Sequence, residues 1–398
     1  MKLGIYGGTF NPPHLGHLAA AQYALDAMEL DELRLIPAAT PPHKPLPAGS
    51  PTPEQRLDMV ELAADGLLQP HRVTVSGMEL SRPGKSYTAD TLAQIHRENP
   101  GAQLWFLMGT DMFLTLQHWR EPEVITRLAG ICAFARTQAD SGDLLATQAD
   151  YLRKTYGARV EIIQLPHIVD VSSTELRTLL SRGAGTQYLS PAVYGYILCH
   201  KLYGVDRDLR NLDDRALRAC SYSMIRAKRI AHVQGVEEEA VRLAQRWGAD
   251  PEKARRAGIL HDCTKYLELD EQLRLCRKYG VALDELERQS AKLLHSKTGA
   301  WVARDVYGAD EDIFQAIYWH TTGKENMSVL EKVIYLADYI EPHRDFPGVK
   351  ELRALAYQDL DQAMLMGVEM SISDLKARGV PIHSNTQAAR DWLLRGRN

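Results

Sequence analysis

A strand-to-helix turn near the start of the chain constrains the fold and the function more than any other stretch. Residues 7–17 read Gly-Gly-Thr-Phe-Asn-Pro-Pro-His-Leu-Gly-His, after an apolar run and before a helical pattern that starts at Leu18. Glycines at such a turn let backbone amides approach a ligand, and the N-terminus of the next helix favours a bound anion. His14 and His17 are three residues apart, so one helical turn would place both imidazoles on the same side of a phosphate. The stretch predicts a phosphate-binding turn, and the joint pattern disfavours the simpler alternative of a glycine turn with two surface histidines.

Short apolar runs alternate with helical patterns through the first half of the chain. This alternation predicts an α/β domain with a mainly parallel sheet and right-handed crossovers. Ligands bind such sheets beyond the carboxyl ends of the strands. The runs predicted as strands after the first one are residues 33–37, 73–75, 104–108, 131–134 and 160–163.

A second phosphate-binding signal follows the last of these runs. Ser172, Ser173 and Thr174 stand where a helix is predicted to begin. A hydroxyl side chain can cap the helix and leave backbone amides for a ligand, while Arg177, one turn further, adds a cation. A plain N-cap explains one of these hydroxyl residues but not three of them followed by an arginine.

Three other stretches of the first half carry groups that suit a ligand. Residues 41–44 (Pro-Pro-His-Lys) follow the second predicted strand and form either a stiff exposed loop or part of a binding site. Residues 86–92 are a predicted helix start whose amides can hold a carboxylate or phosphate. Residues 109–111 (Gly-Thr-Asp) follow a strand directly, and the ring of Trp119 shortly beyond can stack on a pyridine, although tryptophan at helical spacing is more often a core residue.

Together these motifs resemble the nucleotidyltransferase superfamily that carries His-x-Gly-His, and in particular the bacterial nicotinate-nucleotide adenylyltransferases. The resemblance covers about residues 1–204 and implies a Rossmann-like domain. The implied reaction is adenylyl transfer from ATP, bound with Mg²⁺, to nicotinate mononucleotide, which yields nicotinate adenine dinucleotide and pyrophosphate in NAD biosynthesis. Another His-x-Gly-His transferase, either a pantetheine-phosphate adenylyltransferase or a cytidylyltransferase, is the alternative.

The resemblance also implies roles for individual residues. It makes His14, His17 and Arg177 the catalytic set. The residues implied to bind ATP are Gly7, Gly8, Thr9, Phe10, His14, His17, Gly109, Asp111, Ser172, Ser173, Thr174 and Arg177. Those implied to bind nicotinate mononucleotide are His43, Lys44, Thr88, Trp119 and Arg120.

The pattern changes after Gly204, where strands give way to helical patterns alone. We therefore predict two domains, residues 1–204 and 205–398, of which the second is all-α. Ligand-type side chains in this second part stand beside apolar, core-facing residues, which is costly unless they are hydrogen-bonded or bind a metal. Any one of these histidines is more often structural, but the spaced set favours a metal centre of Fe, Mn, Zn or Ni. The set is His232, His261, Asp262, His295, His320 and Asp338.

The second part resembles the HD superfamily of metal-dependent phosphohydrolases, and more narrowly the bacterial symmetrical diadenosine-tetraphosphate hydrolases. Matching stretches include His261-Asp-Cys-Thr-Lys265, residues 318–323 (Tyr-Trp-His-Thr-Thr-Gly) and residues 335–342 (Tyr-Leu-Ala-Asp-Tyr-Ile-Glu-Pro). The resemblance implies cleavage of diadenosine tetraphosphate into two ADP at a centre of two metal ions, with iron placed ahead of Mn, Zn and Ni. It implies catalytic roles for Asp262 and Lys265, with Lys265 and Arg344 as cations beside the phosphates.

Two alternatives stay open for the second part, namely a different HD nucleotide phosphatase and a nucleotide-binding HD module without catalysis. The residue between Pro342 and Arg344, His343, has no assigned role. Whether the two sites communicate is also left open.

Length, charge and cysteine usage bear on the number of domains, the kinds of partner and the cellular location. A length of 398 residues suits two domains, and a formal net charge of −4 gives no overall attraction to nucleic acid or anionic membranes. Five scattered cysteines and the lack of a signal-like or long apolar segment predict a reducing, cytoplasmic location. The two resemblances imply ATP, nicotinate mononucleotide and diadenosine tetraphosphate as partners, and the composition predicts neither nucleic acid nor a membrane as a partner. The oligomeric state, a homodimer included, stays open.

Overall fold

The computed structural model describes residues 1–42, 45–67, 69–135, 142–165, 169 and 171–396. The predicted ligand-binding residues His43 and Lys44 lie outside these ranges. The chain divides into two units, Met1–Asp206 and Arg207–Asn398. Among the described residues, none of the helices combines the length and the apolar composition needed to cross a membrane. The five cysteines are free thiols.

Six strands of the first unit form one parallel sheet. They are β1 (Lys2–Gly8), β2 (Glu32–Pro37), β3 (Val73–Val75), β4 (Gln103–Gly109), β5 (Ala129–Ala135) and β6 (Val160–Gln164). Their order in the sheet is β3-β2-β1-β4-β5-β6, and each neighbouring pair is parallel. This arrangement confirms the predicted α/β fold with a parallel sheet.

Helices cover both faces of this sheet. They are α1 (Leu15–Ala27), α2 (Pro53–Asp65), α3 (Thr88–Glu98), α4 (Thr110–Phe113), α5 (Pro122–Leu128), α6 (Gly142–Tyr156), α7 (Ser173–Leu180) and α8 (Pro191–Cys199). Side chains of α1 and α2 join one hydrophobic cluster, and side chains of α3, α5 and α6 join the other. Strand residues alternate between the clusters, as shown by Phe106 in one and Leu107 in the other.

The strand order creates a crevice beside β1. This strand pairs with β2 on one side and with β4 on the other. The connection that leaves β1 leads to β2, whereas the connection that leaves β4 leads to β5, in the opposite direction along the sheet. Parallel sheets bind ligands at such a reversal of strand order. The predicted turn after β1 and the segment that starts α4 after β4 therefore meet at one edge of the sheet.

The second unit consists of helices among its described residues, which confirms the predicted all-α character. They are α9 (Asp214–Ser223), α10 (Ile230–Trp247), α11 (Pro251–Leu260), α12 (Leu269–Lys278), α13 (Ala291–Asp305), α14 (Glu311–Trp319), α15 (Val329–Ile340), α16 (Val349–Ala356), α17 (Leu360–Ala377) and α18 (Ser384–Arg395). Helix α10 packs against α11 and α15, and α14 packs against α13 and α15. These five helices carry the predicted metal ligands on them or directly after them.

Candidate functional sites

A cavity of about 760 Å³ opens at the crevice beside β1. Its volume suits a nucleotide-sized ligand, because small-molecule sites usually measure ~300–1,000 Å³. The predicted site residues that line it are Gly7, Gly8, Thr9, Phe10, His14, His17, Thr88, Gly109, Asp111 and Trp119. The structure thus brings the turn, the start of α3 and the segment after β4 together around one space.

The two histidines of the turn are held in one orientation by backbone amides. His14 is the N-cap of α1, and its Nδ1 accepts a hydrogen bond from the amide of Gly16 at 3.2 Å. The amide of His14 in turn donates to Nδ1 of His17 at 3.1 Å, and the two ring centroids are 3.8 Å apart. Because both Nδ1 atoms accept, each neutral ring carries its proton on Nε2. Both histidines are therefore set to donate hydrogen bonds from Nε2.

Gly16 explains the spacing of His-x-Gly-His. A Cβ atom at this position would lie 3.0 Å from Nδ1 and Cε1 of His14, which is closer than such contacts normally are. A side chain there would push the His14 ring away from the amide that orients it. The glycine is thus needed for close approach rather than for an unusual backbone angle.

The start of α7 fastens the turn from a second direction. Oγ of Ser173 donates to the carbonyl of Pro12 at 3.3 Å, and Nη1 of Arg177 donates to the carbonyl of Asn11 at 2.8 Å. The amide of Ser172 donates to the Glu175 carboxylate at 2.8 Å, so this amide is already engaged. In the described structure, the residues that line the cavity do not include Ser172, Ser173, Thr174 or Arg177. Ser173 and Arg177 instead contact the turn that lines it.

The other side of the cavity is formed by α3 and Trp119. Thr88 is the first residue of α3, and Trp119 meets Phe106 edge-on with ring centroids 6.2 Å apart. The guanidinium of Arg120 lies 4.5 Å from the Tyr87 ring centroid and 3.7 Å from the Asp90 carboxylate. The Arg120 side chain is thus turned toward the start of α3.

Sequence reasoning missed a buried arginine that connects the loops of this cavity. The Arg56 side chain on α2 is fully buried. Its guanidinium donates to the carbonyls of Thr9 at 2.9 Å, Ala38 at 2.6 Å and Ala39 at 2.9 Å. The available signal was its spacing, since Arg56 shares a helical face with the buried residues Met59, Val60 and Ala63.

A buried carboxyl group, that of Glu79, was also missed. Glu79 lines the cavity, accepts a hydrogen bond from the Thr91 hydroxyl at 2.5 Å and lies 3.6 Å from Arg82. Burial raises the pKa of Glu79 despite these partners. These contacts join the loop after β3, which carries Glu79 and Arg82, to Thr91 of α3, and so help to fix the start of that helix.

In the second unit, the predicted metal ligands converge on one carboxylate. His232, His261 and Asp262 form one cluster of ligand atoms, and Asp262, His295 and His320 form another. Oδ2 of Asp262 is 3.4 Å from Nε2 of His261, and Oδ1 is 3.3 Å from Nε2 of His295. Asp262 therefore belongs to both clusters, each of which could hold a metal ion.

All four histidines of this centre present the same ring nitrogen. Nδ1 donates to a backbone carbonyl at 2.7 Å in three of them, namely that of Gly258 for His261, Lys292 for His295 and Ile317 for His320. Nδ1 of His232 donates to the Glu341 carboxylate at 3.1 Å. With Nδ1 protonated, each neutral ring directs the lone pair of Nε2 into the centre, as metal-ligating histidines do.

Two features show that these donors fit divalent cations. Nε2 of His232 and Nε2 of His261 are buried without a hydrogen-bond partner in the described structure. Nε2 of His295 and Nε2 of His320 face each other at 3.1 Å, and two such lone pairs are stabilised by a cation. Imidazole nitrogen with carboxylate oxygen is a donor set for Fe, Mn, Zn or Ni.

Burial and neighbouring groups set the charges of the centre. Burial lowers the pKa of His295, and burial together with His295 and His261 lowers the pKa of His320 to about 3. Burial alone would raise the pKa of Asp262, but His261, His295 and Lys265 hold it well below its usual range. Neutral imidazoles at His295 and His320 beside an ionised Asp262 are protonation states that metal binding requires.

Asp338 and two predicted cations border the centre. Oδ1 of Asp338 lies 3.1 Å from Nε2 of His232 and 2.7 Å from Nη2 of Arg344. Burial alone would raise the pKa of Asp338, but His232, His261 and Lys265 hold it well below its usual range. Nζ of Lys265 is 3.1 Å from Oδ1 of Asp262. Both predicted cations thus touch a carboxylate of the centre.

Arg229 is a further cation that sequence reasoning missed. Its Nε lies 3.0 Å from Oδ2 of Asp262, and its Nη2 contacts the same oxygen. Arg229 stands three residues before His232, at the start of the helix that carries this ligand. Its proximity to a ligand in sequence was the available signal.

His343, left without a role, supports the centre indirectly. Its backbone amide donates to Oε2 of Glu341 at 2.7 Å, and its Nδ1 lies 3.0 Å from the same oxygen. Glu341 is the carboxylate that orients His232. A Cβ atom on Gly235 would lie 2.4 Å from Oε2 of Glu341, so glycine leaves room for this carboxylate.

A third cluster, formed by Asp284, Glu287 and His383, has residue types that can bind a metal, but Nδ1 of its histidine accepts a hydrogen bond instead of donating one. Nδ1 of His383 accepts from the amide of Asn385 at 3.1 Å, so its proton is on Nε2. Nε2 therefore donates to Asp284 and Glu287, each at 3.1 Å, and Nζ of Lys297 lies 2.5 Å from Glu287. This cluster is a buried ion-pair network rather than a set of metal ligands.

Comparison with known proteins gives one family match in each of the two units. Residues 5–179 match the cytidylyltransferase-like family, and residues 229–343 match the HD domain family. A probable nicotinate-nucleotide adenylyltransferase of Lachnoclostridium phytofermentans is 36% identical over 203 residues, which is 51% of this chain and 98% of that protein. The chain belongs to the nicotinate-nucleotide adenylyltransferase family in its N-terminal half and to the HD domain family in its C-terminal half.

Two further relatives are described as hydrolases. A symmetrical bis(5'-nucleosyl)-tetraphosphatase of Bacillus subtilis is 38% identical over 179 residues, which is 45% of this chain and 96% of that protein. A crystal structure from Clostridium acetobutylicum, described as a predicted HD superfamily hydrolase involved in NAD metabolism, is 41% identical. It covers 47% of this chain and 99% of its own, with a TM-score of 0.46. The family matches and the curated relatives identify the protein as an enzyme with a nucleotidyltransferase domain and an HD phosphohydrolase domain, and the HD domain implies a divalent metal.

Proposed function

We propose that the nucleotidyltransferase domain transfers the adenylyl group of ATP to nicotinate mononucleotide. The observation that carries this proposal is the pair of Nε2 donors of His14 and His17, which are fixed by backbone amides at a nucleotide-sized cavity. A phosphate oxygen of the mononucleotide attacks the α-phosphorus of ATP, and the bond to pyrophosphate breaks. Two anions meet in this step, so the protein contributes alignment and charge neutralisation.

The residues of the cavity and those at the adjoining start of α7 divide this work. His14 and His17 hold phosphate oxygens from Nε2, and Arg177 with the amides of Ser173 and Thr174 holds the leaving phosphates. Mg²⁺ bound with ATP would neutralise the oxygens of the leaving pyrophosphate. On the other side, Trp119 stacks on the pyridine ring, and the amides of Thr88 and Arg120 hold its carboxylate.

A substrate comparison tests this proposal. We expect a higher kcat/KM for nicotinate mononucleotide than for nicotinamide mononucleotide, because the neutral amide uses the carboxylate donors less well. The full chain is assayed with ATP and, in turn, each mononucleotide and phosphopantetheine. Equal kcat/KM values for the two mononucleotides, or turnover of phosphopantetheine alone, would contradict the proposal.

We propose that the HD domain hydrolyses diadenosine tetraphosphate symmetrically to two ADP. The convergence of four Nε2 lone pairs on the shared carboxylate of Asp262 carries this proposal. When bound, two metal ions would neutralise phosphate oxygens and lower the pKa of a water. Lys265 and Arg344, which touch Asp262 and Asp338, would turn to the phosphates and hold them. We propose iron as the metal, with manganese, zinc and nickel as alternatives.

The product pattern tests the second proposal. Attack at a β-phosphorus yields ADP alone, whereas asymmetric cleavage yields AMP and ATP. The full chain is incubated with diadenosine tetraphosphate, and the products are separated by chromatography beside elemental analysis of the protein. AMP with ATP as products, or full activity after every metal has been removed, would refute it. Binding of the dinucleotide without cleavage would favour the non-catalytic alternative.

A further inference from the structure

We propose that Tyr266 binds a nucleobase of the substrate at the rim of the HD centre, with Arg226 beside it. This inference rests on the proposed hydrolysis of a dinucleoside polyphosphate and adds the subsite for one of its nucleosides. The juxtaposition that carries it is an exposed aromatic ring with Arg226 over it, beside Lys265 and near Arg229, both of which contact the central carboxylate of Asp262.

Tyr266 stands directly beside the centre in sequence and in space. It follows Lys265, whose Nζ is 3.1 Å from Oδ1 of Asp262. While Asp262 is buried, the Tyr266 side chain is 36% exposed, so its ring is accessible at the surface. The stretch from His261 to Tyr266 therefore runs from the metal ligands to the solvent within a few residues.

Two arginines connect the ring to the phosphate side of the centre. Cζ of Arg226 lies over the Tyr266 ring, 5.5 Å from its centroid. Arg229 stands three residues after Arg226, and its guanidinium contacts Asp262. Both arginines belong to the segment that leads into α10, which carries the ligand His232. The Tyr266 ring, the two arginines and Asp262 thus form one row of groups beside the start of α10.

This row matches the chemistry of a nucleotide. A tyrosine ring stacks on any base, and a guanidinium over the ring adds a favourable cation–π contact. Arginine and lysine hold phosphate oxygens. A nucleoside placed on Tyr266 therefore directs its phosphate chain past Arg229 toward Asp262. A structural ion pair would account for Arg229 and Asp262, but it would not account for an exposed ring with a second arginine over it.

The decisive variants compare Tyr266, which lies under Arg226, with another exposed aromatic ring that lies beside an arginine in the same unit. Tyr266→Ala should raise the KM for diadenosine tetraphosphate by about tenfold, with little change in kcat, because stacking contributes to binding. Tyr266→Phe keeps the ring and should restore the wild-type KM. Trp392→Ala is the matched control, since Trp392 is 40% exposed and lies 5.6 Å from Cζ of Arg395. It should leave KM unchanged.

A second readout locates the base without relying on turnover. The full chain is photolabelled with 8-azidoadenosine diphosphate, and the labelled peptides are identified by mass spectrometry. We expect label on the peptide that contains Tyr266, displacement of this label by ADP but not by inorganic pyrophosphate, and its loss in Tyr266→Ala. Label in the cavity of the first unit is separate and serves as an internal reference.

The outcomes distinguish this inference from the function on which it rests. Label at Tyr266 without cleavage of diadenosine tetraphosphate would sustain the base subsite and refute the hydrolase function. Symmetrical cleavage with neither a change in KM nor a loss of label in Tyr266→Ala would overturn the subsite and leave the hydrolase function intact. A KM that rises equally in Tyr266→Ala and Tyr266→Phe would also overturn it.

Discussion

At the scale of single residues, the two sites use histidine in opposite ways. In the nucleotidyltransferase turn, Nδ1 of His14 and Nδ1 of His17 accept hydrogen bonds from backbone amides, so Nε2 carries the proton. In the HD centre, Nδ1 of His261 donates to a backbone carbonyl, so Nε2 presents a lone pair. A proton on Nε2 suits a phosphate oxygen, and a lone pair suits a metal ion. The backbone partner of Nδ1 therefore separates the two chemistries.

Replacement of Arg56 should destabilise the loops that form the cavity of the first unit. Arg56→Met keeps much of the side-chain volume but leaves the carbonyls of Thr9, Ala38 and Ala39 without their donor. We expect the first unit to lose about 3 kcal/mol or more of stability, since each buried unsatisfied group costs about 1–3 kcal/mol. Differential scanning calorimetry of the full chain would measure this loss, and adenylyl transfer should fall with it.

The control for this prediction is Arg34→Met on β2. Arg34 is only partly buried and pairs with Glu32 at 3.1 Å, and its replacement leaves the three carbonyls of the cavity loops with their donor. Equal unfolding temperatures for Arg56→Met and the wild type would show that the three carbonyl contacts add nothing to stability.

At the scale of elements, the first turn of α3 is predicted to select the acid form of the substrate. Thr88 occupies the first helical position, after Tyr87 in extended conformation with φ −90° and ψ 132°. Proline is tolerated at this position and in this context, and it removes the backbone N–H. Thr88→Pro should therefore raise the KM for nicotinate mononucleotide by about tenfold and reduce its advantage over nicotinamide mononucleotide.

Thr88→Ala is the matched variant, because it changes the side chain and keeps the amide. Steady-state kinetics with both mononucleotides should give Thr88→Ala the wild-type preference. If Thr88→Pro and Thr88→Ala lose the preference to the same extent, the hydroxyl group rather than the amide is responsible.

The start of α18 is held by an ion-pair network whose contribution depends on pH. Burial alone would raise the pKa of Glu287, but hydrogen bonds from His383 and Lys297 lower it to about 2. A carboxyl group with a pKa below its unfolded value, roughly 4.3, stabilises the fold above that value and loses this effect as pH falls toward 2. Glu287→Gln should therefore cost about 2–3 kcal/mol at pH 7 and progressively less between pH 4 and pH 2.

Calorimetry at several pH values checks the sign of this effect. The difference in Tm between wild type and Glu287→Gln should be largest near neutral pH and narrow in acid. Glu285→Gln on the same segment is the control, because the Glu285 side chain is exposed. A difference in Tm that grows as the pH is lowered would refute the assignment of a depressed pKa.

At the scale of the whole molecule, each candidate site is built from residues of one unit. His14 and His17 belong to Met1–Asp206, and the six metal-centre residues belong to Arg207–Asn398. We expect His17→Ala to reduce adenylyl transfer by about 10²-fold or more while hydrolysis of diadenosine tetraphosphate continues. Asp262→Ala should have the reverse effect, because it removes the carboxylate common to both ligand clusters.

Both activities are measured on each full-length variant, with metal content determined in parallel. His96→Ala provides the control for His17→Ala, since His96 is an exposed histidine of the first unit. Near-wild-type dinucleotide formation by His17→Ala would show that its assignment is wrong. A loss of both activities in either variant, with folding intact, would show that the sites depend on each other.

Much of the architecture and of the candidate ligand sets could be predicted from the sequence, because both depend on patterns among residues that are close together in the chain. Alternating apolar runs and helical spacings determine which segments become strands and helices, and the parallel sheet followed by helices is confirmed. His14 and His17 stand one helical turn apart, so their meeting needs little more than a helix. The adjacent pair His261 and Asp262 is likewise local.

Only the tertiary structure decided which distant groups complete each site. Arg56 meets the carbonyls of two loops that are far from it in sequence, and Arg229 meets Asp262 across 33 positions. The difference between the metal-type His261 and the ion-pair His383 lies in the atom that contacts Nδ1. Residue type and spacing do not determine that contact. It is set by packing, which places a carbonyl beside one ring and an amide beside the other, and thereby determines which nitrogen holds the proton.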